Sequence, residues 1–276
     1  MSTNDMIERP LILIVNDDGI TAPGIRNLVE AVHDLGEVVV VAPDSPQSGM
    51  GHAITIGKPL RLNASNEFQD LDIEAHACTG TPVDCVKLAS DIVLKRRPAI
   101  CLSGINHGSN VSINVIYSGT MSAAMEAAVN GIPSAGFSLL DFSYDADFSV
   151  SKKVVRQVAE FMLKEQLPKY FLINVNIPKV SDVEFKGLKI CRQADAFWSE
   201  NFESRTDPYE RPYYWVTGQL ENRDTGSGTD IQALEEGYAS IVPITIDFTQ
   251  HDHLEFLKEK ENNLLGVEVV NKIEEH

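Results

Sequence analysis

Three polar clusters break otherwise apolar stretches of this 276-residue chain, and each holds side chains capable of chemistry. The first, Asn16-Asp17-Asp18-Gly19, sets two carboxylates side by side. Such charges repel and lose hydration wherever the chain buries them, so the pair is hard to stabilise without a cation. Carboxylates joined by neutral oxygen donors, such as a serine hydroxyl or an asparagine carbonyl, form a hard ligand set. That set suits Mg²⁺, Mn²⁺ or Ca²⁺ better than a thiolate-seeking zinc. The competing reading is that Asp17 and Asp18 cap a helix and pin a turn. The second cluster runs Asp44-Ser45-Pro46-Gln47-Ser48-Gly49-Met50-Gly51. The third begins at Ser103-Gly104-Ile105-Asn106-His107-Gly108, continues to Asn110 and ends at Tyr117-Ser118-Gly119-Thr120. There, small residues opening a helix let backbone amides approach an anion, so a phosphate fits without Lys or Arg; the same residues also make an ordinary helix start.

The surrounding pattern says which elements must hold these clusters. Residues 11–15 (Leu-Ile-Leu-Ile-Val) are wholly apolar, as in a strand buried on both faces. From Gly24 to Leu35, apolar residues recur at Ile25, Leu28, Val29, Val32 and Leu35, which predicts an amphipathic helix stopped by Gly36. Residues 38–41 are apolar again, giving strand, helix and strand in about 30 residues, the size of a βαβ unit. The alternation continues with helices over 83–94, 121–129 and 150–163 and strands over 99–102, 133–139 and 171–175. The fold class expected is α/β, a doubly wound, mostly parallel Rossmann-like sheet with a C-terminal β-arm and a terminal helix. In such sheets ligands bind beyond the carboxyl ends of the strands, where all three clusters fall. Within 52–78 the β-prone pieces Ala53 to Ile56 and Ile73 to Ala77 predict a side hairpin or an edge extension.

After about residue 180 the character changes. Residues 196–228 mix Phe197, Trp198, Phe202, Tyr209, Tyr213, Tyr214 and Trp215 with Pro, Arg, Asp and Gly, without helical period, which predicts an exposed β-arm and hence a partner subunit. The expected division is an α/β catalytic domain over 1–185, an arm and oligomerisation region over 186–250, and a helical tail over 251–276.

The chain carries 40 Asp+Glu against 23 Lys+Arg, a net charge of -17. That balance argues against binding to a nucleic-acid polymer or an anionic membrane surface, where clustered cations supply the affinity. Residues 200–276 alone hold 17 acids and 6 bases, so most of the excess lies in the arm and tail, away from the clusters. No apolar stretch approaches the roughly 20 residues of a membrane span, and the N-terminus lacks the pattern of a signal peptide. The four cysteines, Cys78, Cys85, Cys101 and Cys191, match neither a metal knuckle nor a CxxC pair and read as buried free thiols. A cytoplasmic location is expected.

Together the motifs resemble a known family. Ile12-Leu-Ile-Val-Asn-Asp-Asp-Gly-Ile20, Val41-Ala-Pro-Asp-Ser-Pro-Gln-Ser-Gly49, Ser103-Gly-Ile-Asn106, Val115-Ile-Tyr-Ser-Gly-Thr120 with Ala123-Ala-Met-Glu126, and Gly228-Thr-Asp230 with Gly237-Tyr238 and Val242-Pro243 are similar, in colinear order, to the SurE (survival protein) 5'-nucleotidases. The resemblance implies a metal-dependent phosphomonoesterase acting on nucleoside 5'-monophosphates, with 3'-monophosphates and short polyphosphate as further substrates. It implies Asp17, Asp18, Ser48 and Asn106 as ligands of Mg²⁺ or Mn²⁺, with Ca²⁺ a possible occupant, and Asp17 or Asp18 as the group that orients the attacking water. Phosphate contacts would fall to Asn110, Ser118, Gly119 and Thr120. The arm would exchange between subunits of a homodimer or homotetramer. The stretch His107-Gly-Ser-Asn110-Val-Ser-Ile-Asn114 departs from the family's usual form.

Other candidates carry less. His251-Asp252-His253 reads as a solvated surface group, the acidic run 141–147 lacks the glycine and terminal glutamate of a calcium loop, and His107 reads as support for its neighbour, with donation to the leaving group the sharper alternative. A haloacid-dehalogenase-like phosphatase would space its aspartates as Asp-x-Asp, whereas here they are adjacent. A non-catalytic nucleotide-binding module would use the same cleft without requiring a metal.

Overall fold

The first strand, β1 (Leu11–Val15), shows how the chain builds two cores from one apolar run. Ile12 and Ile14 enter one buried cluster, while Leu11, Leu13 and Val15 enter another on the opposite face. That is the period-two alternation of a strand covered by helices on both sides. In this computed structural model, which describes residues 9–143 and 145–264, the chain continues through α1 (Pro23–Val32), β2 (Glu37–Pro43), β3 (Leu62–Ala64), β4 (Glu74–Cys78), α2 (Pro82–Leu88) and β5 (Ile100–His107). Then follow α3 (Gly119–Val129), β6 (Ser134–Leu139), α4 (Ser149–Lys164), β7 (Leu172–Ile177) and β8 (Gly187–Ile190). The hairpin strands β9 (Ala196–Thr206) and β10 (Pro212–Asn222) precede α5 (Asp230–Glu235) and β11 (Tyr238–Pro243). Residues 1–8, on which the reading of the N-terminus rests, and residues 265–276 of the expected helical tail lie outside the described residues.

Nine strands form one sheet in the order β3-β4-β2-β1-β5-β6-β7-β11-β8. From β4 to β7 every pairing is parallel; β3 joins β4, and β11 joins β7, in antiparallel fashion. The β3 and β4 pair is an edge extension, but of the two pieces expected only 73–77 enters a strand, β4; residues 53–56 form none, and the partner strand is Leu62–Ala64. Helices α1 and α4 pack together over one face, α2 and α3 over the other. Their sequences explain this. On α1 the buried stripe is Ile25, Leu28, Val29 and Val32, while α3 is Ala-rich and buried nearly all round, which lets it sit close to the sheet. Thr81 closes a reciprocal capping box with Asp84 at the start of α2. The chain after β1 moves to β2 on one side, and the chain after β5 moves to β6 on the other, so strand order reverses between β1 and β5.

Within 186–250 only β9 and β10 form the extended arm, an antiparallel ladder from Ala196↔Asn222 to Thr206↔Pro212. Strands β8 and β11 instead complete the main sheet. The arm leaves Phe202, Tyr209, Tyr214, Trp215 and Val216 exposed. All four cysteines are free and buried. The described residues 245–264 belong to a separate unit, which holds α6 (His251–Glu259) and α7 (Glu261–Leu264). His251 there is exposed and pairs with Asp247 at 3.0 Å, in keeping with a solvated surface group. No helix of the described residues is long and apolar enough to cross a membrane.

Candidate metal and phosphate site

The reversal of strand order between β1 and β5 opens a crevice at the carboxyl ends of the strands, the usual ligand position in an open α/β sheet. Asp17 and Asp18 leave the end of β1 and Asn106 sits near the end of β5. The strand over 99–102 extends to His107, so the Ser103-Gly-Ile-Asn106 cluster is its last stretch rather than a loop. Periodicity underestimated it because the ladder to β6 shifts register between Ser103 and Asn106. Gly104 permits this break, with φ at +127° and space for no side chain: a Cβ there would stand 2.4 Å from the Phe137 carbonyl oxygen.

The turn after β1 is fixed by its own asparagine. Asn16 donates Nδ2 to the Gly19 carbonyl at 2.8 Å and accepts from the Gly19 amide at 3.2 Å. Asp17 is buried at 4 % exposure and accepts the Thr120 hydroxyl at 2.5 Å. Burial and then the Asp18 charge push the Asp17 carboxyl up to about 6, against the opposing pull of the Thr120 hydroxyl and backbone amide. Asp18 is raised too, chiefly by burial, with the charge and backbone amide of His107 working the other way. Its Oδ2 is buried and has no hydrogen-bond partner. Asn106 spends its amide hydrogens on the carbonyls of Gly108 (2.8 Å) and His107 (3.3 Å), which leaves its Oδ1 as an acceptor.

Ser48 lies in the loop after β2 and is exposed. The loop is tied on both sides of it: the Gln47 amide donates to the Asp17 carbonyl at 2.7 Å, and the Gly51 amide to the Tyr117 carbonyl at 3.1 Å. Further along, His52 meets the buried Glu126 of α3 at 3.0 Å, beside Lys87 at 2.5 Å. The loop carrying Ser48 therefore spans from Asp17 to Tyr117, two residues before α3.

At the start of α3, Ser118 caps the helix by accepting the Met121 amide at 3.0 Å. Gly119 is pressed against the first cluster: a Cβ there would come within 2.7 Å of Asp17 Cβ and 2.8 Å of its Oδ2. Thr120 is committed to Asp17, so the Ser118 hydroxyl hydrogen and the Gly119 amide are the donors left at this helix end. Asn110 is buried within a polar network. Its amide donates to Asn176 Oδ1 (2.7 Å), its Nδ2 to Ser138 Oγ (2.7 Å), and its carbonyl accepts from Asn174 Nδ2 (2.7 Å). One Nδ2 hydrogen remains.

The donors suit a divalent cation. The buried Asp17 and half-buried Asp18 carboxylates, the latter with an orphaned, buried Oδ2, and an Asn106 carbonyl form an incomplete set of hard oxygen ligands that a cation would complete. Among the described residues no cluster of three or more His, Cys, Asp or Glu could hold a metal, so the remaining ligands must be neutral oxygens. Beside Asp18 a cleft of about 380 Å³ is bounded by Thr21, Pro23, Asp44, Pro46, His107 and Phe142.

Three residues have roles that the sequence does not assign, although one of them, Asp230, lies in the Gly228-Thr-Asp230 motif. Asp230, buried at 1 %, accepts the amides of Ser112 (2.8 Å) and Ala194 (2.9 Å), fastening the chain beyond Asn110 to the approach to the arm. Asn174 and Asn176 stand at alternate positions of the otherwise apolar Leu-Ile-Asn-Val-Asn-Ile strand. Buried polar residues at period two were the available signal.

The profile of the family described as Survival protein SurE matches residues 12–200. A protein of Christiangramia forsetii named 5'-nucleotidase SurE is 55 % identical over 250 residues, covering 91 % of this chain and 96 % of its own. One of the same name from Cytophaga hutchinsonii is 57 % identical over 249 residues, covering 90 % and 95 %. The crystal structure of the SurE protein from Aquifex aeolicus is similar in fold, with a TM-score of 0.78 and 38 % identity over 91 % of this chain and 100 % of the other.

Proposed function

We propose, from the premise that the chain belongs to the SurE family, that it is a 5'-nucleotidase: a metal-dependent phosphomonoesterase that converts nucleoside 5'-monophosphates to nucleoside and phosphate. The observation that carries this reading is the buried Asp17 beside half-buried Asp18 at the reversal of strand order, with the Asp18 Oδ2 buried and unpartnered. Asp17, Asp18, Asn106 and Ser48 would hold Mg²⁺ or Mn²⁺. When bound, the cation neutralises phosphoryl charge and lowers the pKa of the attacking water, both needed for one of the slowest uncatalysed hydrolyses.

The chain's own groups do the rest. Thr120 holds the Asp17 carboxylate in one orientation through its hydroxyl. The Ser118 hydroxyl, the Gly119 amide and the spare Nδ2 hydrogen of Asn110 offer donors to the phosphoryl oxygens, and the N-terminus of α3 favours negative charge there. A carboxylate of the pair orients the water for attack on phosphorus. The net charge of -17 does not oppose an anionic substrate on this reading, because part of it serves to hold the cation. We assign the exposed β9 and β10 arm to contacts between copies of the chain in a homodimer or homotetramer.

The test is phosphate release by the purified full-length protein from nucleoside 5'- and 3'-monophosphates, deoxynucleotides and short polyphosphate, with EDTA and with Mn²⁺ or Mg²⁺ restored. Cation-dependent release from 5'-monophosphates is expected. Binding of nucleotide without turnover under every cation would support a non-catalytic module instead.

A further inference from the structure

Next to the start of α3, a second cleft of about 420 Å³ lies against the root of the arm, lined by Tyr117, Trp198, Glu200, Val216, Thr217 and Gly218. Two of these are aromatic and open to solvent, Tyr117 at 53 % and Trp198 at 42 %. An indole that exposed is ordinarily free to turn. Here its Nε1–H donates to Asn114 Oδ1 at 2.6 Å, while the carbonyl of the same Asn114 accepts the Tyr117 amide at 3.0 Å. One residue thus fixes the indole by its side chain and the backbone of the tyrosine by its main chain. The Tyr117 carbonyl also takes the Gly51 amide, so this turn is tied to the loop of Ser48 as well. Two aromatics whose supports are set in advance, facing one cleft, form a stacking platform that loses little conformational freedom on binding.

The rest of the lining is in keeping with a flat, neutral, heteroaromatic ligand. Glu200 follows Trp198 by two residues, on the same face of β9, and its carboxylate makes no hydrogen bond or ion pair among the described residues. The position paired with it is Gly218, which adds no side chain. A carboxylate repels phosphate but accepts hydrogen bonds from the ring N–H and exocyclic amino groups of nucleobases. Position matters too: Ser118, a phosphate donor in the function proposed above, directly follows Tyr117, so a nucleotide anchored at α3 would have the tyrosine and its cleft within reach of its nucleoside.

We infer that Tyr117 and Trp198 bind the nucleobase of the substrate by stacking, with Glu200 accepting from the base's N–H groups. The inference rests on the nucleotidase reading for the placement of the phosphate. Base-on-aromatic stacking typically contributes enough that loss of one platform weakens binding about tenfold.

The test compares AMP and GMP with ribose 5-phosphate, which has the phosphate and sugar but no base, as substrates of the Mn²⁺-loaded full-length protein. Trp198→Ala and, separately, Tyr117→Leu are expected to raise KM for the nucleotides about tenfold with little change in kcat, and to leave ribose 5-phosphate kinetics unchanged. Trp198→Phe, which keeps a flat ring, should recover most of the loss. In a Trp215→Phe background Trp198 is the sole tryptophan, and its fluorescence should be quenched by AMP but not by ribose 5-phosphate. Equal effects of Trp198→Ala on both substrate classes, or no quenching by AMP, would overturn the inference while leaving the nucleotidase reading intact. If the wild-type protein hydrolyses neither class, the nucleotidase reading fails, and the fluorescence titration still decides the base site: quenching by AMP supports it, and its absence overturns it.

Discussion

Thr120 and Asp17 lie 103 positions apart in the chain and 2.5 Å apart in space, the threonine hydroxyl donating to Asp17 Oδ1. The contact joins the end of β1 to the start of α3, so the helix that would offer donors to phosphate also fixes the carboxylate that would hold the cation. Removing the hydroxyl should loosen both. Thr120→Val is expected to weaken Mn²⁺ binding by roughly tenfold, as expected for loss of a hydrogen bond to a charged group, with Thr120→Ser close to wild type. Calorimetric titration of the metal-free variants with Mn²⁺ checks this.

Asp17 carries a destabilising charge when no cation is present. Its carboxyl titrates at about 6 in the folded chain against an ordinary 3.8. Between those values the folded state binds more protons than the unfolded chain, so metal-free stability falls as pH rises from about 4 to about 6 and is level above. Asp17→Asn keeps an acceptor for Thr120 and removes this slope. The metal-free variant should equal or exceed wild type at pH 7, by up to about 3 kcal/mol, yet gain nothing from Mn²⁺. Urea denaturation across pH 4–8, with and without the metal, measures both effects.

Gly119 has no room for a side chain. A Cβ would stand 2.7 Å from Asp17 Cβ, so Gly119→Ala must displace the carboxylate or the first turn of α3. A loss of about 1–3 kcal/mol in stability is expected from the crowding, with at least a tenfold fall in kcat/KM. Melting temperature and phosphate release report the two separately. A variant with wild-type kinetics would show that Asp17 can move without consequence.

Much of this arrangement was legible in the sequence because it follows from local pattern. The apolar run 11–15 is β1, and the residues after it nominate the candidate site; the aromatic, unperiodic stretch beyond 196 forms the arm. What stayed hidden depends on partners remote in sequence. Nothing near Asp230 signals that it will accept two amides, one of them 118 residues away. The joining of β8 and β11 to the main sheet was hidden for the same reason: a short strand's place in a sheet is set by pairing, which composition does not encode. Strand β5 ran past its apparent end because the ladder carries Asn106 across a register shift at Gly104. Ser48 shows the opposite limit. The motif nominates it, and the structure holds its loop at Gln47 and Gly51 while leaving the side chain exposed.

Asp230 should matter for stability before it matters for chemistry. Asp230→Ala would strip the buried amides of Ser112 and Ala194 of their acceptor, at a cost of roughly 2–4 kcal/mol for two unsatisfied groups. Thermal denaturation should show a fall of that size. Hydrogen exchange at residues 108–114 should quicken at temperatures where the variant remains folded.

The central claim is that the Asp17 and Asp18 pair works through one bound cation. Its most direct measurement titrates metal-free full-length protein with Mn²⁺, following bound metal and phosphate release from a nucleoside 5'-monophosphate in the same samples. Activity should rise in step with the first Mn²⁺ bound per chain, and Asp17→Asn should lose binding and activity together. Full turnover by the metal-free protein, or an Asp17→Asn variant that retains both, would contradict it.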